Sequence, residues 1–234
     1  MKRKILLVGG SGGLGRVSAR LLAQEGAELI VTFYRNRECA EKLRDIAQIV
    51  QADITQVEDR EQLLDRAGTL DGLVVFTGNP ARIASKDQTL EMLQVSDAIN
   101  YMGPILLGRA AAERMQQSRT AGAIVFFSTM QGVALFPNST IYAGAKAALI
   151  HAARILAKEV RADNIRVNVI APGVISAGMA EASIASGKYD RYLQENTIAR
   201  FGRPEDIARA VQFLLAPDNY ITGQVLSVDG GITL

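Results

Sequence analysis

The sequence predicts an α/β fold in which seven parallel strands form a doubly wound sheet with helices on both faces. Short runs rich in β-branched residues and leucine alternate with longer amphipathic segments along the chain, an order that is typical of parallel sheets. The strand-like runs are continuously apolar, as expected when helices cover both faces of each strand. Because no repeat, low-complexity tract or linker interrupts the 234 residues, residues 1–234 are predicted to form one domain.

Each element is predicted from the length and period of its apolar pattern. Short β-branched or leucine-rich runs predict strands over residues 5–8, 28–33, 49–51, 73–77, 123–128, 166–170 and 224–228. Helical periodicity predicts helices over residues 14–24, 37–47, 58–67, 95–117, 140–162 and 205–215. Residues 177–200 are the least regular segment and rich in small and polar residues. They are predicted to form a mobile substrate loop over a site.

Composition excludes several classes of protein. The 26 basic and 24 acidic residues are interspersed and give a net charge of +2, so no nucleic-acid partner is expected. No apolar stretch approaches the ~18 residues of a membrane span, and the apolar run at 5–8 is too short for a signal peptide. One cysteine, Cys39, fits a reducing environment. We therefore expect a cytoplasmic protein without a membrane partner.

Two scarcities limit the possible chemistry. His151 is the only histidine and Cys39 the only cysteine, which makes a zinc site of nitrogen and sulfur ligands nearly impossible. We therefore predict no metal. A Ser-His-Asp triad could be built only on His151, which we interpret instead as a packed or interface histidine.

A glycine-rich turn joins the first strand to the first helix. Its sequence is Gly9-Gly10-Ser11-Gly12-Gly13-Leu14-Gly15. Glycines let the backbone approach a pyrophosphate, and the start of a helix offers free N–H groups and the positive end of a dipole. In an alternating chain this position favours nucleotide binding on a Rossmann fold over a simple tight turn.

Tyr142 and Lys146 are four residues apart within the predicted helix 140–162. This spacing places both side chains on one helix face. A cation beside a phenol stabilises the phenolate and lowers its pKa, so that the phenol can exchange a proton with an alcohol or carbonyl oxygen. The pair alone is also common on solvated helix faces, so the rest of the chain decides its meaning.

The order of these motifs resembles that of the short-chain dehydrogenase/reductase family over essentially the whole chain. The matching segments are Gly9-x3-Gly13-x-Gly15, Asp53, Asn100, Tyr142-x3-Lys146 and residues 166–173, 202–208 and 221–231. Seven motifs in one order are far more specific than any one of them. Within the family, the chain resembles the branch of bacterial 3-oxoacyl-thioester reductases.

The resemblance implies four catalytic residues and a hydride transfer between a nicotinamide and a carbonyl carbon. Tyr142 would supply or accept the proton on oxygen, and Lys146 would lower the pKa of the phenol and bind the nicotinamide ribose. Asn100 would anchor a water that carries protons from Lys146. Thr129 stands where the family usually has serine; Ser128 precedes it, and strand alternation would point the two hydroxyls in opposite directions.

The resemblance also implies which residues hold the cofactor. They are Gly9, Ser11, Gly12, Gly13, Leu14, Gly15, Tyr34, Arg35, Asp53, Ile54, Gly78, Tyr142, Lys146, Pro172, Gly173, Val174 and Ile175. The segment that follows the second strand contains Arg35 and Arg37, and it has no acidic residue before Glu38. Arginine favours a 2′-phosphate, whereas an acid favours a free ribose. We therefore predict NADP(H), with NAD as the less favoured alternative.

The chain also departs from the family pattern. Val75-Phe76-Thr77-Gly78 replaces the usual Asn-Asn-Ala-Gly after strand four, which puts the cofactor geometry in question. Val8 stands where a threonine normally precedes the first glycine. Ala177 stands where a threonine often contacts the nicotinamide amide, and Ser176 is a substitute for it.

The implied partner is a small carbonyl or alcohol substrate, with a 3-oxoacyl thioester as the first candidate. Met179, Ile184, Tyr189 and Tyr192 in the substrate loop suit an apolar or mixed substrate, or ordinary packing. The resemblance implies a homotetramer, or a dimer, with helices 95–117 and 140–162 at one interface and the 221–234 tail near another. An NADP(H)-binding redox sensor without turnover is the alternative function. A sugar-nucleotide epimerase is disfavoured because such relatives carry a longer carboxy-terminal domain.

Overall fold

One parallel sheet organises the part of the chain that the computed structural model describes, residues 2–79, 83–195 and 198–234. Within those residues its strands are β1 (Lys4–Val8), β2 (Glu28–Phe33), β3 (Ala47–Gln51), β4 (Gly72–Val75), β5 (Ala123–Phe127), β6 (Arg166–Pro172) and β7 (Val225–Val228). They pair in the order β3-β2-β1-β4-β5-β6-β7, and every pairing is parallel. The predicted seven-stranded sheet is confirmed.

Helices connect the strands and cover the sheet. They are α1 (Gly13–Gln24), α2 (Arg37–Glu41), α3 (Val57–Ala67), α4 (Leu90–Asp97), α5 (Gly103–Gln117), α6 (Thr140–Glu159), α7 (Glu181–Ala185), α8 (Arg191–Glu195) and α9 (Pro204–Leu215). Among the described residues, no helix combines the length and apolar character that a membrane crossing needs.

Alternate side chains of each strand enter two separate apolar layers. In β1, Leu6 and Val8 join the layer formed with α3, α5 and α6, whereas Ile5 and Leu7 join the layer formed with α1 and α9. All four side chains are at most 1 % exposed. Because successive strand residues point to opposite faces, the continuous apolar runs reflect a sheet that is covered on both sides.

The predicted helix over 37–47 is wrong beyond Glu41. Asn36 begins α2 by accepting a hydrogen bond from the Cys39 N–H at 3.0 Å, but the helix ends after five residues. The chain then turns so that Leu43 is fully buried and β3 starts at Ala47. Tertiary packing against β2 thus overrides the helical periodicity of the segment.

The predicted helix over 95–117 starts earlier and is interrupted. Thr89 begins α4 by accepting from the Met92 N–H at 3.2 Å. A π-helical turn at Ala98–Met102 separates α4 from α5. A Cβ at Gly103 would lie 2.9 Å from the Ile54 carbonyl oxygen, so the chain passes close to the end of β3 here. π-helical turns are frequent at functional sites, and this one contains Asn100.

Helices α1 and α9 pack against each other but begin differently. The residue before α1 is Gly12, and the first turn of α1 carries no acid. The first residue of α9 is Pro204, which has no N–H. Asp206 accepts a hydrogen bond from the Arg203 N–H at 2.8 Å and pairs with Arg200 at 2.7 Å.

Gly108 on α5 is expected to resist substitution. A Cβ there would lie 2.2 Å from Cζ of Phe126, and Phe126 is fully buried. We expect Gly108→Ala to lower the free energy of unfolding by about 1–3 kcal/mol, measured by urea denaturation, because the ring cannot move aside.

Gly144→Ala is the matched control. A Cβ at Gly144 on α6 would meet no described atom within 4 Å, so alanine should stabilise the helix by about 0.5–1 kcal/mol. Equal effects of the two substitutions would show that the Phe126 ring does not press against α5.

Candidate active site

The carboxyl ends of β1, β4 and β5 meet where the strand order reverses. β1 is followed in the chain by β2 and β3 on one side, and the chain then returns to place β4 on the other side. In open α/β sheets, ligands bind in the crevice at this switch point. The glycine loop follows β1, Gly78 follows β4 and Thr129 follows β5, so these three predicted segments converge.

The glycine loop is a tight turn that only glycine permits. Gly9 has a φ of +70°, a conformation that disfavours residues with a Cβ. The Gly10 N–H donates to the Leu7 carbonyl at 3.2 Å and the Gly12 N–H to Gly9 at 3.1 Å. A Cβ at Gly15 would lie 2.4 Å from the Gly10 Cα. The loop therefore packs its own backbone closely and leads directly into α1.

This loop fits a dinucleotide phosphate. Ser11, Gly12, Gly13 and Leu14 bring the backbone to the first turn of α1, where helix N–H groups attract an anion. A Cβ at Gly13 would lie 3.0 Å from the Gly178 nitrogen. The loop after β6 therefore flanks the cradle on its other side.

Thr32 supports the glycine loop and was missed by the sequence analysis. It lies on β2, is 1 % exposed, and its Oγ1 accepts a hydrogen bond from the Gly9 N–H at 2.9 Å. A hydroxyl from the neighbouring strand thus holds the loop although Val8 replaces threonine before the first glycine. A threonine within an apolar strand gave no signal, since threonine is common in strands.

The residues predicted at the adenosine end lie on neighbouring loops. Tyr34 and Arg35 are exposed after β2, and the Arg35 guanidinium carbon lies 5.0 Å from the Tyr34 ring centroid. Asp53 and Ile54 follow β3. They lie beside Tyr34 and Arg35, because the Ala52 N–H donates to the Phe33 carbonyl and so joins the ends of β3 and β2.

The Asp53 carboxylate is partly committed within its own loop. Its Oδ1 accepts from the Thr55 N–H at 3.0 Å and from the Thr55 hydroxyl at 2.8 Å. These bonds fix the orientation of the carboxylate, and an oxygen has further lone pairs to offer.

The Lys146 ammonium is buried between the ends of β4 and β5. Its Nζ donates to the carbonyl oxygens of Thr77 at 3.0 Å and Phe127 at 2.8 Å, and the residue is 1 % exposed. Burial disfavours the charged form and lowers the pKa of Lys146 to about 7. An ammonium has three donors, and two of them are used within the described residues, so one N–H is left there for a ligand.

Tyr142 lies one helical turn before Lys146 on α6 and is 6 % exposed. The predicted pair therefore sits on the inner face of α6, which excludes the alternative of two side chains on a solvated face. His151, farther along α6, is exposed. Of the two predicted alternatives for His151, packing within the subunit is excluded, because the residue falls on the outer face of the helix, and an interface position is left.

The two candidate hydroxyls after β5 have different environments. Ser128 Oγ donates to the Lys146 carbonyl at 3.2 Å. A Cβ at Gly132 would lie 2.7 Å from Ser128 Oγ. Ser128 thus ties β5 to α6. Thr129 is 8 % exposed, and its Oγ1 accepts from the Gln131 N–H at 3.4 Å. Because Ser128 is bound to the Lys146 carbonyl, Thr129 is the remaining candidate for the hydroxyl that holds a substrate oxygen.

Asn100 joins the π-helical turn to the segment after β4. Its Oδ1 accepts from the Asn79 N–H at 2.9 Å, while its Nδ2 donates to the Asn79 carbonyl at 3.1 Å and to Ser96 at 3.0 Å. A Cβ at Gly78 would lie 3.5 Å from Asn100 Oδ1 and 3.6 Å from Lys146 Nζ. Asn100, Gly78 and Lys146 are therefore neighbours.

The end of β6 forms a further wall. Pro172 ends the strand, and the Gly173 N–H donates to the Val228 carbonyl at 3.0 Å. Val174 and Ile175 are buried, at 8 % and 5 % exposure. These four predicted cofactor residues thus lie in a fixed backbone segment.

The substrate loop is partly ordered by aromatic packing. It contains α7 and α8, whose side chains include Tyr192. Tyr189 and Tyr192 are buried with ring centroids 5.8 Å apart, and Phe136 contacts Tyr192 edge-on at 6.3 Å. These two tyrosines thus pack against each other within the segment. The side chain of Met179 and residues 196–197 lie outside the described part of the structure.

Comparison with known proteins matches nearly the whole chain. A family model described as "Enoyl-(Acyl carrier protein) reductase" matches residues 9–233. The 3-oxoacyl-[acyl-carrier-protein] reductase FabG of Rickettsia conorii is 32% identical, over 98% of this chain and 96% of that protein.

Two solved structures share the fold at full length. A short chain dehydrogenase/reductase family protein has 32% identity and a TM-score of 0.90, covering 98% of this chain and 96% of that one. ElxO with NADP bound has 27% identity and a TM-score of 0.89, with 99% of both chains covered. A crevice that holds a buried tyrosine, a buried lysine and a glycine cradle is thus found within a chain whose relatives are reductases. The chain belongs to the short-chain dehydrogenase/reductase family and is an oxidoreductase.

Proposed function

We propose that the protein reduces the 3-oxo group of acyl thioesters with NADPH. The observation that carries this proposal is the buried pair of Tyr142 and Lys146 on α6, beside Thr129 and the ends of β4 and β5. Similarity to a 3-oxoacyl-[acyl-carrier-protein] reductase over 98% of the chain supports the substrate class. A single half-buried cysteine, Cys39, is consistent with work in the cytoplasm.

NADPH is the proposed reductant, and it would supply a hydride to the carbonyl carbon. The glycine loop and the start of α1 would hold its pyrophosphate. Arg35 is exposed beside Tyr34 and free to approach a 2′-phosphate, whereas Arg37 also faces Glu41 at 3.9 Å. NADP bound to the relative ElxO supports the preference for NADP(H) over NAD.

The proton in the proposed reaction comes from Tyr142. Its phenol would donate to the substrate oxygen, which the Thr129 hydroxyl would hold by a hydrogen bond. The free N–H of Lys146 would bind a ribose hydroxyl of the cofactor. A lysine pKa of about 7 allows Lys146 to take up and release protons near neutral pH, so it suits the relay to a water at Asn100.

An apolar surface supports the proposed homotetramer. Val95, Met102, Leu106 and Ile155 are each more than 40 % exposed, and they come from α4, the π-helical turn, α5 and α6. Exposed apolar patches of this kind mark interfaces. Exposed His151 lies on α6 near the same surface, which is where an interface histidine would be. A dimer through this surface is the alternative.

The oligomer is tested by light scattering. We expect about four times the chain mass of 25.2 kDa, and a smaller species for Leu106→Arg because a charge in an apolar interface is costly. A wild-type protein of one chain mass would contradict the proposal.

Stability should depend on pH through Lys146. The folded pKa is about 7 and the ordinary value 10.5, so the burial cost is fully present below pH 7. Between pH 7 and 10.5 the unfolded chain holds a proton that the folded protein has lost, and stability rises with pH. Relative to Lys146→Met, the free energy of unfolding of the ligand-free protein should rise by up to about 1.4 kcal/mol per pH unit.

Urea denaturation from pH 6.5 to 9.5 measures this difference, in which the other titrating groups cancel. A constant difference between wild type and Lys146→Met over that range would mean that the ammonium keeps an ordinary pKa.

Turnover is tested by following NADPH oxidation with an acetoacetyl thioester. We expect Tyr142→Phe to lower kcat/KM by about 10²–10⁴-fold because the proton donor is lost, while a fluorescence titration shows retained NADPH binding. NADH should be the poorer reductant. A 2-enoyl thioester serves as the comparison substrate, because the matching family model is described as an enoyl reductase.

Tyr220→Phe is the matched control, since Tyr220 is fully exposed. Undiminished turnover by Tyr142→Phe would remove Tyr142 from the reaction. NADPH binding without reduction of any carbonyl by the wild type would favour the redox-sensor function instead.

A further inference from the structure

Gln131 has a buried amide oxygen without a partner. The residue lies in the 3₁₀ turn Met130–Gly132 after β5 and is 7 % exposed. Its Oε1 is inaccessible to solvent and makes no hydrogen bond within the part of the chain that the structure describes. An unpaired buried acceptor costs about 1–3 kcal/mol, so such a group needs an explanation. Rotation of the Gln131 amide toward a ligand that donates a hydrogen bond would expose this oxygen and remove that cost.

Gln131 lines a concavity beside the proposed reaction centre. The concavity has a volume of about 370 Å³, and its other walls include Phe136, Pro137 and Ala143. Ala143 directly follows Tyr142 in α6, and the Gln131 N–H donates to Thr129 Oγ1. The concavity thus lies one residue from Tyr142 along α6 and is linked to Thr129 through the Gln131 backbone, and its walls are largely apolar.

We propose that Gln131 is a substrate-binding residue that accepts a hydrogen bond from an amide N–H in the thiol arm of an acyl thioester. This inference rests on the proposed function, which supplies the thioester. The apolar walls formed by Phe136, Pro137 and Ala143 suit the methylene groups of such an arm, and Gln131 supplies the polar anchor among them. This division between apolar walls and a few placed polar groups is usual for ligand sites.

The length of the thiol arm is compatible with this placement. In an acylated thiol arm, the first amide nitrogen is six bonds from the reacting 3-oxo carbon. Two residues of extended backbone span at most about 7 Å, and Gln131 lies two residues beyond Thr129. A substrate whose 3-oxo oxygen is held by Thr129 can therefore place its amide N–H within reach of the Gln131 side chain.

The Gln131 amide oxygen would also let the site distinguish between substrates with and without an N–H donor. A thioester or ketone without an N–H donor leaves the buried oxygen of Gln131 unpaired, and sites with unpaired buried polar groups reject such analogues. Gln131 thus favours acyl groups whose thiol arm contains an amide N–H.

The test compares two acetoacetyl thioesters that differ only in the donor. One is the N-acetylcysteamine thioester, which has the amide N–H, and the other is the S-(2-acetoxyethyl) thioester, in which an ester oxygen replaces that N–H. We expect wild type to prefer the first by about tenfold in kcat/KM, mainly through KM, since one hydrogen bond has about that effect. Gln131→Met should abolish the preference and leave the S-(2-acetoxyethyl) thioester unaffected, whereas Gln131→Glu, which keeps an acceptor, should retain part of it.

Thermal unfolding gives a second readout. Replacing an unpaired buried amide with an apolar side chain of similar length should raise the Tm, whereas loss of a structural hydrogen bond would lower it. Gln62→Met, at an exposed position on α3, is the matched control and should change neither measurement.

The outcomes separate this inference from the proposed function. Equal loss on both thioesters in Gln131→Met together with a lower Tm would assign Gln131 a structural role and overturn the inference. Reduction of both thioesters by wild type without a preference would overturn it while the proposed function stands. Turnover of neither thioester by wild type would overturn the proposed function and, with it, the inference.

Discussion

A buried ammonium between two strand ends constrains the whole crevice. Lys146 reaches from α6 to the carbonyl oxygens of Thr77 and Phe127, so α6, β4 and β5 must keep one relative position. Ser128 reinforces this arrangement because its hydroxyl binds the carbonyl of Lys146 itself. Gly78 lies directly against this contact, since a Cβ there would lie 3.6 Å from the ammonium. The placement of Tyr142 one turn away then follows from the position of the helix.

Main-chain atoms explain how the segment after β4 tolerates its unusual side chains. Thr77 contributes its carbonyl oxygen to Lys146, and Asn79 contributes its N–H and carbonyl to Asn100. Any residue can supply the carbonyl oxygens, and any residue except proline can supply the N–H. The side chains are therefore available for packing, and the Phe76 ring lies 4.5 Å from that of Phe127 in the apolar layer below. The contacts of Lys146 and Asn100 are thus preserved although the usual polar side chains are absent.

The sequence allowed the sheet and the convergence of the site to be predicted, because both depend on patterns that are local. Continuous apolar runs marked the strands, and the glycine loop and the spacing of Tyr142 and Lys146 marked the crevice. Contacts between distant segments could not be predicted in this way. The support of Gly9 by Thr32 crosses strands. The early end of α2 and the unpaired amide of Gln131 depend on neighbours that no spacing specifies.

The different starts of α1 and α9 determine which of the two helix N-termini can bind an anion such as a phosphate. Both helices connect parallel strands, so both begin at the same edge of the sheet and direct their dipoles towards it. At α9, Pro204 removes a donor, and the carboxylate of Asp206 already lies at the start of the helix, where it accepts from the Arg203 N–H. Glycine-led α1 has no carboxylate in its first turn. The start of α9 is thus occupied by a residue of its own sequence, whereas the start of α1 is open to a phosphate.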